Sequence, residues 1–290
     1  MSTKHPIISV TGSSGAGTST VKNTFDQIFR REGIKAVSIE GDAFHRYDRA
    51  AMKAEFEKRT RAGDHTFSHF SFEANELGEL ERVFREYGET GRGKTRHYVH
   101  NDAEGKALGA ASGTFTDWAD FEEGTDMLFY EGLHGAVKND MVDLPKYADL
   151  KIGVVPVINL EWIQKMHRDR DQRGYSTEAI TDVILRRMHD YVHCITPQFS
   201  QTDINFQRVP VVDTSNPFIS RSIPTPDESL VVIRFRNPRG IDFQYLTAMI
   251  DGSWMSRANS IVIPGGKMDL AMQLILTPLI LRLADNAKRA

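Results

Sequence analysis

The chain has 290 residues, of which 40% are apolar, 9% aromatic and 26% charged, an ordinary globular balance that excludes a disordered tail protein and a fibrous repeat. Thirty-six basic residues against 39 acidic leave a net charge of −3, which argues against binding nucleic acid by charge alone and leaves small phosphorylated ligands open. The lone cysteine, Cys194, excludes an intramolecular disulfide and a cysteine-based zinc site, in keeping with a reducing compartment.

In chain order, residues 7–10 form a short apolar run, predicted as a buried strand. A Gly/Ser loop follows, then a helix over 18–31 that Gly33 should stop. Residues 36–39 give a second strand, followed by Glu40-Gly41-Asp42. Strand, helix, strand is the pattern of a parallel α/β sheet. Helices are predicted over 48–61 and 73–87, and a small hairpin over 96–105, where the composition turns polar and glycine-rich. Residues 127–130 make a strand ending at Glu131, and 152–158 another. A helical block spans 160–195, broken at Gly174, with Ser176 as N-cap of its second part. The runs 209–212, 230–235 and 261–263 read as added strands, partly antiparallel, on one edge of the sheet. A final helix over 269–285 contains Pro278 and an apolar face suited to core or subunit contact. Boundaries between domains are weak, so the expectation is one domain over residues 1–290. The N-terminus lacks a signal-peptide pattern, and the longest apolar stretch, 270–283, is too short and too polar to span a bilayer. A soluble cytoplasmic protein is expected.

The loop Gly12-Ser13-Ser14-Gly15-Ala16-Gly17-Thr18-Ser19-Thr20 has the spacing of a phosphate-binding Walker A loop between a strand and a helix. Its glycines let backbone N–H groups turn inward, the helix N-terminus adds positive potential, and Ser19 offers a hydroxyl to Mg²⁺. The usual lysine is replaced by Thr18, so a bound phosphate needs its cation from elsewhere. Read alone, the loop also suits a tight turn without a ligand. Open α/β sheets bind ligands beyond the carboxyl ends of their strands, where Asp42 and Glu131 fall. Glu131 follows four apolar residues, as the Mg²⁺-holding acid of a Walker B strand does.

Lys165, Arg168, Asp169 and Arg173 share one helical face and suit a mobile cationic lid, with Lys165 supplying the charge missing at Thr18. His45, Arg49 and Lys53, at i,i+4 spacing, read either as a substrate-phosphate ladder or as a solvated basic face. His65 with His69, and His189 with His193, lack a third ligand at suitable spacing and are not read as metal sites.

The block Lys165-Met-His-Arg168-Asp169-Arg-Asp-Gln-Arg173-Gly174-Tyr-Ser176-Thr-Glu178 resembles the signature of the phosphoribulokinases, within the P-loop uridine kinase-like family. Gly41-Asp42-Ala-Phe-His45-Arg, His69-Phe-Ser-Phe-Glu-Ala-Asn75 and Glu131-Gly-Leu-His134 resemble that family too, and the likeness runs over residues 5–265. Length and the missing loop lysine fit its short bacterial type. The resemblance implies a P-loop kinase fold like that of nucleoside monophosphate kinases: a mixed sheet with a parallel core, antiparallel edge strands and flanking helices. It implies transfer of a phosphoryl group from ATP to O1 of D-ribulose 5-phosphate, giving ribulose 1,5-bisphosphate for carbon fixation. Asp42 then becomes the base, with Lys165 and Asp169 also catalytic. Ser19, Glu131 and Asp169 become Mg²⁺ ligands, and the base and metal roles of Asp42 and Asp169 remain exchangeable. His45, Arg49, Lys53, His100, Arg168 and Arg173 become substrate contacts. Ala16 in the loop and the solitary Cys194 exclude the thiol switch of plant-like members. The bacterial type further implies an oligomer activated by NADH, for which Arg234 and Arg257 are candidate contacts. Two alternatives stand beside this reading: a uridine or pantothenate kinase on the same fold, and a nucleotide-binding regulator without phosphotransfer.

Overall fold

The structure, a computed structural model, describes residues 4–13, 18–155, 157–171 and 174–290, without the side chains of Thr18, Ser19 and Thr20. Strand β1 (Ile7–Gly12) is buried along its whole length, as a strand covered on both faces must be. Helix α1 (Thr18–Glu32) turns Val21, Phe25, Ile28 and Phe29 onto the sheet. It stops where Gly33 takes a left-handed φ of 65°, a conformation that costs other residues strain. Strand β2 (Ala36–Glu40) leads through a 3₁₀ turn, Gly41–Phe44, to α2 (Arg49–Arg61), whose N-cap Asp48 accepts from the Ala51 amide.

Then come α3 (Leu77–Thr90), β3 (Lys94–Thr95), α4 (Asp102–Leu108), β4 (Ala119–Asp120), β5 (Met127–Gly132) and β6 (Leu150–Val155). Next are α5 (Ile158–Asp171), α6 (Thr177–Asp190), β7 (Ile204–Pro210) and β8 (Ser229–Phe235). The order closes with α7 (Phe243–Met249), β9 (Trp254–Arg257), β10 (Ser260–Pro264) and α8 (Met268–Arg289). The main sheet has eight strands in the order β2-β5-β1-β6-β7-β8-β10-β9. From β2 to β7 neighbours run parallel, and β8, β10 and β9 add antiparallel pairs at one edge. One face is sealed by α1 and α8, where Ile8, Phe129, Ile152, Phe206 and Ile233 meet Phe25, Met272 and Ile280. On the other face α3 packs Leu80, Val83, Phe84 and Tyr87 against Ile7, Leu128 and Tyr130.

Four expectations are corrected. Helix α3 begins at Leu77 and not at 73, because Phe72–Ala74 form a 3₁₀ turn and Asn75 is extended, bridged to His45. Residues 101–105 are not a hairpin turn: the Asn101 side chain accepts from the Glu104 amide and caps α4. The antiparallel pair lies outside that helix, between β3 and β4. Strand β6 ends at Val155, and Ile158 already starts α5. Strand β7 begins earlier than the apolar run at 209 suggests, because Asn205 and Gln207 interrupt its hydrophobicity on the open face. No helix of the described residues is long and apolar enough to cross a membrane.

Candidate active site

The β1–β5 register pairs Val10 with Glu131, and the β2–β5 register pairs Glu40 with Glu131. Gly12, Asp42 and Glu131 therefore gather at one end of the sheet, where parallel strands leave their last backbone groups exposed. A cavity of about 790 Å³ opens there. Its walls include Gly12, Lys22, Asp42, Arg49, Lys53, His100, Glu131, Lys165, Arg168 and Arg187.

Asp42 stands at the centre. His45 Nε2 lies 3.1 Å from Asp42 Oδ1, and His100 Nε2 lies 3.7 Å from Oδ2. Burial alone would raise this carboxyl, but the facing His45, with His100 and His69 beyond it, holds it down to about 2. The Asp42 side chain keeps 40% of its exposure toward the cavity, so a substrate can reach it. Burial works against a charge on His45, yet Asp42 and Asn75 outweigh it and raise the imidazole. His69 and His134 behave oppositely: burial, together with charges that include His45, lowers each to about 3.

The loop carrying Asp42 is held by Arg96. Its Nε donates to Ala43 O and its Nη2 to His45 O, each at 2.8 Å, while the guanidinium lies 3.7 Å from the centroid of the Phe115 ring. On α5, Lys165 ion-pairs with Asp169, whose other oxygen accepts from Arg168 Nε at 3.0 Å. Burial and the nearby Arg187 charge lower the Lys165 ammonium to about 8, against the pull of Asp169. Packing of Met166 against Ile180 and Ile184 fixes α5 on α6, so this face is set from below.

Most sequence-predicted residues meet here. Asp42, His45, Arg49, Lys53, His100, Glu131, Lys165 and Arg168 all line the cavity, with Gly12 at its edge. Asp169 lies buried one contact behind, through Lys165. The ladder reading needs correction at one rung. His45 is not on α2 but in the loop before it, turned onto Asp42, and only Arg49 and Lys53 share the helix. Arg49 donates to His100 O at 2.8 Å, which joins two predicted residues across the cavity rim. Ser14, Gly15, Ala16, Gly17 and Arg173, and the side chains of Thr18, Ser19 and Thr20, lie outside the described residues. Arg234 and Arg257 are far along the sheet in sequence order, on β8 and β9, both exposed and both in register with Ser260.

Three residues of the site, two of them lining the cavity, are not singled out by the sequence. Lys22 ion-pairs with Glu40 and feels Glu131, which adds a second candidate for the cation absent at Thr18. Its place four residues beyond Thr18 was the available signal. Arg187 reaches the cavity from α6, and nothing local marks it, since Arg186 beside it looks the same. Asn75, within the segment quoted for its family likeness, proves to be the hydrogen-bond partner of His45 at 2.8 Å.

Comparison with known proteins agrees with this geometry. The family described as Phosphoribulokinase / Uridine kinase matches residues 7–215. Phosphoribulokinase 2 of Cereibacter sphaeroides is 77% identical over 290 residues, covering 100% of this chain and 99% of that protein. Phosphoribulokinase of Nitrobacter vulgaris is 69% identical over 287 residues, covering 99% of each. The solved structure of phosphoribulokinase from Rhodobacter spheroides superposes with a TM-score of 0.92 at 76% identity, covering 99% of this chain and 100% of that one.

Proposed function

The chain belongs to the phosphoribulokinase / uridine kinase family, and we propose that it transfers the γ-phosphoryl group of ATP to O1 of D-ribulose 5-phosphate. The products are ribulose 1,5-bisphosphate and ADP. The observation that carries the substrate is the meeting, in one cavity, of Asp42 with the cations Arg49 and Lys53 and with the His100 imidazole. A uridine kinase has no phosphate on its acceptor and no need of such charges beside its base.

Asp42 takes the proton of the attacking O1 hydroxyl as the O1–P bond forms and the β–γ bridge breaks. Arg49, Lys53 and His100 hold the sugar phosphate, with Arg168 and Arg173 on the phosphoryl groups. Lys165 and Lys22 are the cations that stand in for the missing loop lysine. The nucleotide lies on the loop from Gly12 to Thr20. The acidic oxygens beside this loop suit a hard divalent cation, which prefers oxygen donors. Glu131 and Ser19 would hold Mg²⁺, which neutralises phosphate charge when bound, and Asp169 would join them only by giving up an oxygen now paired with Lys165 or Arg168. The eight-stranded sheet running through both ends of the chain supports treating it as one domain. The regulatory reading adds a homo-oligomer whose turnover rises with NADH at Arg234 and Arg257, supported by their exposed positions on the two strands that flank β10.

Phosphorus NMR of the product formed from ATP, Mg²⁺ and ribulose 5-phosphate tests the proposal. Two sugar-phosphate resonances and ADP are expected. A single unchanged sugar-phosphate resonance alongside ADP would mean hydrolysis without transfer and would refute it.

A further inference from the structure

Behind Asp42 runs a hydrogen-bonded line that the transfer reaction above leaves unused. His45 and Asn75 face each other across an isolated antiparallel bridge, closed by Arg46 N to Ala74 O at 2.9 Å and Glu76 N to Phe44 O at 2.7 Å. The bridge sets His45 Nδ1 2.8 Å from Asn75 Oδ1. Both residues are buried.

The orientation of the Asn75 amide follows from its surroundings. Its nitrogen lies 2.8 Å from Ser71 O and 3.0 Å from His69 O. Carbonyl oxygens only accept, so the amide NH₂ must point at them and the amide oxygen at His45. His134 Nε2, 3.2 Å from the same nitrogen, can only share one of these two hydrogens, and burial keeps its imidazole neutral. His45 Nδ1 must then carry a hydrogen. That leaves Nε2, 3.1 Å from Asp42 Oδ1, as the nitrogen that gains or lacks a proton.

We propose that Asn75 is a positioning residue: it locks the neutral His45 in its Nδ1–H tautomer, so that the proton Asp42 takes from the substrate hydroxyl passes on to His45 Nε2. The O1–H bond breaks and an Asp42 O–H bond forms. That bond then gives its proton to Nε2, leaving a carboxylate and an imidazolium whose two N–H groups face Asp42 and Asn75. The other tautomer would point a hydrogen from Nε2 at Asp42 and leave no lone pair to receive the proton. Orientation of a general base by a buried acceptor on its far nitrogen is the principle of hydrolase triads, and there a wrong tautomer costs orders of magnitude in rate. Other charged or titratable groups face this pair from every side. His100 stands 3.7 Å from Asp42, the His69 ring 5.5 Å and the Tyr98 ring 6.3 Å from His45, and Arg96, Tyr130, Arg187 and His134 also face the pair.

This inference rests on the kinase reading, but its first test does not. Nitrogen NMR of ¹⁵N-histidine-labelled wild-type protein, with His45 assigned by its loss in His45→Gln, reports the tautomer directly. At a pH above its titration, which Asp42 and Asn75 raise, His45 should be neutral and protonated on Nδ1, and one protonated on Nε2 overturns the proposal whatever substrate the enzyme uses. Asn75→Leu should then lower kcat about 10²-fold with KM for the sugar phosphate nearly unchanged. Asn75→Asp places a carboxylate against Nδ1–H and should move the acidic limb of kcat upward by about one pH unit. Circular dichroism and thermal melts show whether each variant is folded. Folded variants with wild-type kcat and an unmoved acidic limb would overturn the proposal.

Discussion

The two ends of the sheet differ in how their strands meet solvent. At the parallel end, β1, β5 and β6 are buried on both faces, so polar groups can act only where a strand stops. Gly12 and Glu131 lie at such stops, and Asp42 lies just past the end of the half-open edge strand β2. At the antiparallel end, β8 alternates buried and open positions and β9 is exposed throughout. There side chains are offered along the strand, as Arg234 and Arg257 are on either side of Ser260. Among the described residues, the cavity lining ends at Arg187, so the last third of the chain adds nothing to it. One sheet thus separates strands that end at a cavity from strands that offer side chains along their length.

The comparison breaks first at Asp42. Asp42→Asn keeps the shape but removes the proton acceptor, and kcat should fall roughly 10³-fold while the folded circular dichroism spectrum is kept. Steady-state kinetics with both substrates check this; a small loss would move the base elsewhere. Lys53→Ala, also at the parallel end, should raise KM for ribulose 5-phosphate about 10-fold, the loss of one charge-assisted contact, with kcat changed far less. An equal fall of kcat with unchanged KM would take Lys53 out of ground-state binding.

A subtler consequence concerns acid. The unfolded chain protonates His134 near 6.5, whereas the folded chain resists until about 3. Below 6.5 the unfolded state therefore binds more protons, and stability falls as pH drops toward 3. Each such histidine costs up to about 1.4 kcal/mol per pH unit once fully titrating. Urea unfolding of His134→Gln between pH 6 and pH 5 should show a shallower loss by up to that slope. A parallel loss in both proteins would show that His134 protonates freely. The smallest basal effect is expected at the antiparallel end. Arg234→Ala and Arg257→Ala should leave turnover without NADH unchanged and remove its activation. Activation intact in both would free that end of any regulatory part.

Much of this is legible in the sequence itself. The loop at Gly12, the acids after β2 and β5, and the Lys165 block sit at strand ends or on helices whose periodicity the sequence displays, and topology brings them together. What stayed hidden depended on contacts between distant segments. His45 reads as one rung of a ladder because it lies four residues from Arg49, although the helix predicted from 48 already leaves it outside. Asn75 looked like part of a helix, when its extended backbone is what lets it bridge to His45, thirty residues away. Arg187 needed the packing of α6 on α5 to reach the cavity. The early start of β7 was masked by Asn205, which turns back to accept from Thr202 Oγ1.

The central claim is that the parallel end of the sheet houses phosphoryl transfer to a sugar phosphate. Its most direct test is ATP- and Mg²⁺-dependent ADP release with ribulose 5-phosphate, set against uridine and pantothenate in the same assay. Turnover with the sugar phosphate alone is the result this account expects. Turnover with uridine or pantothenate instead, or none with any acceptor, would contradict it.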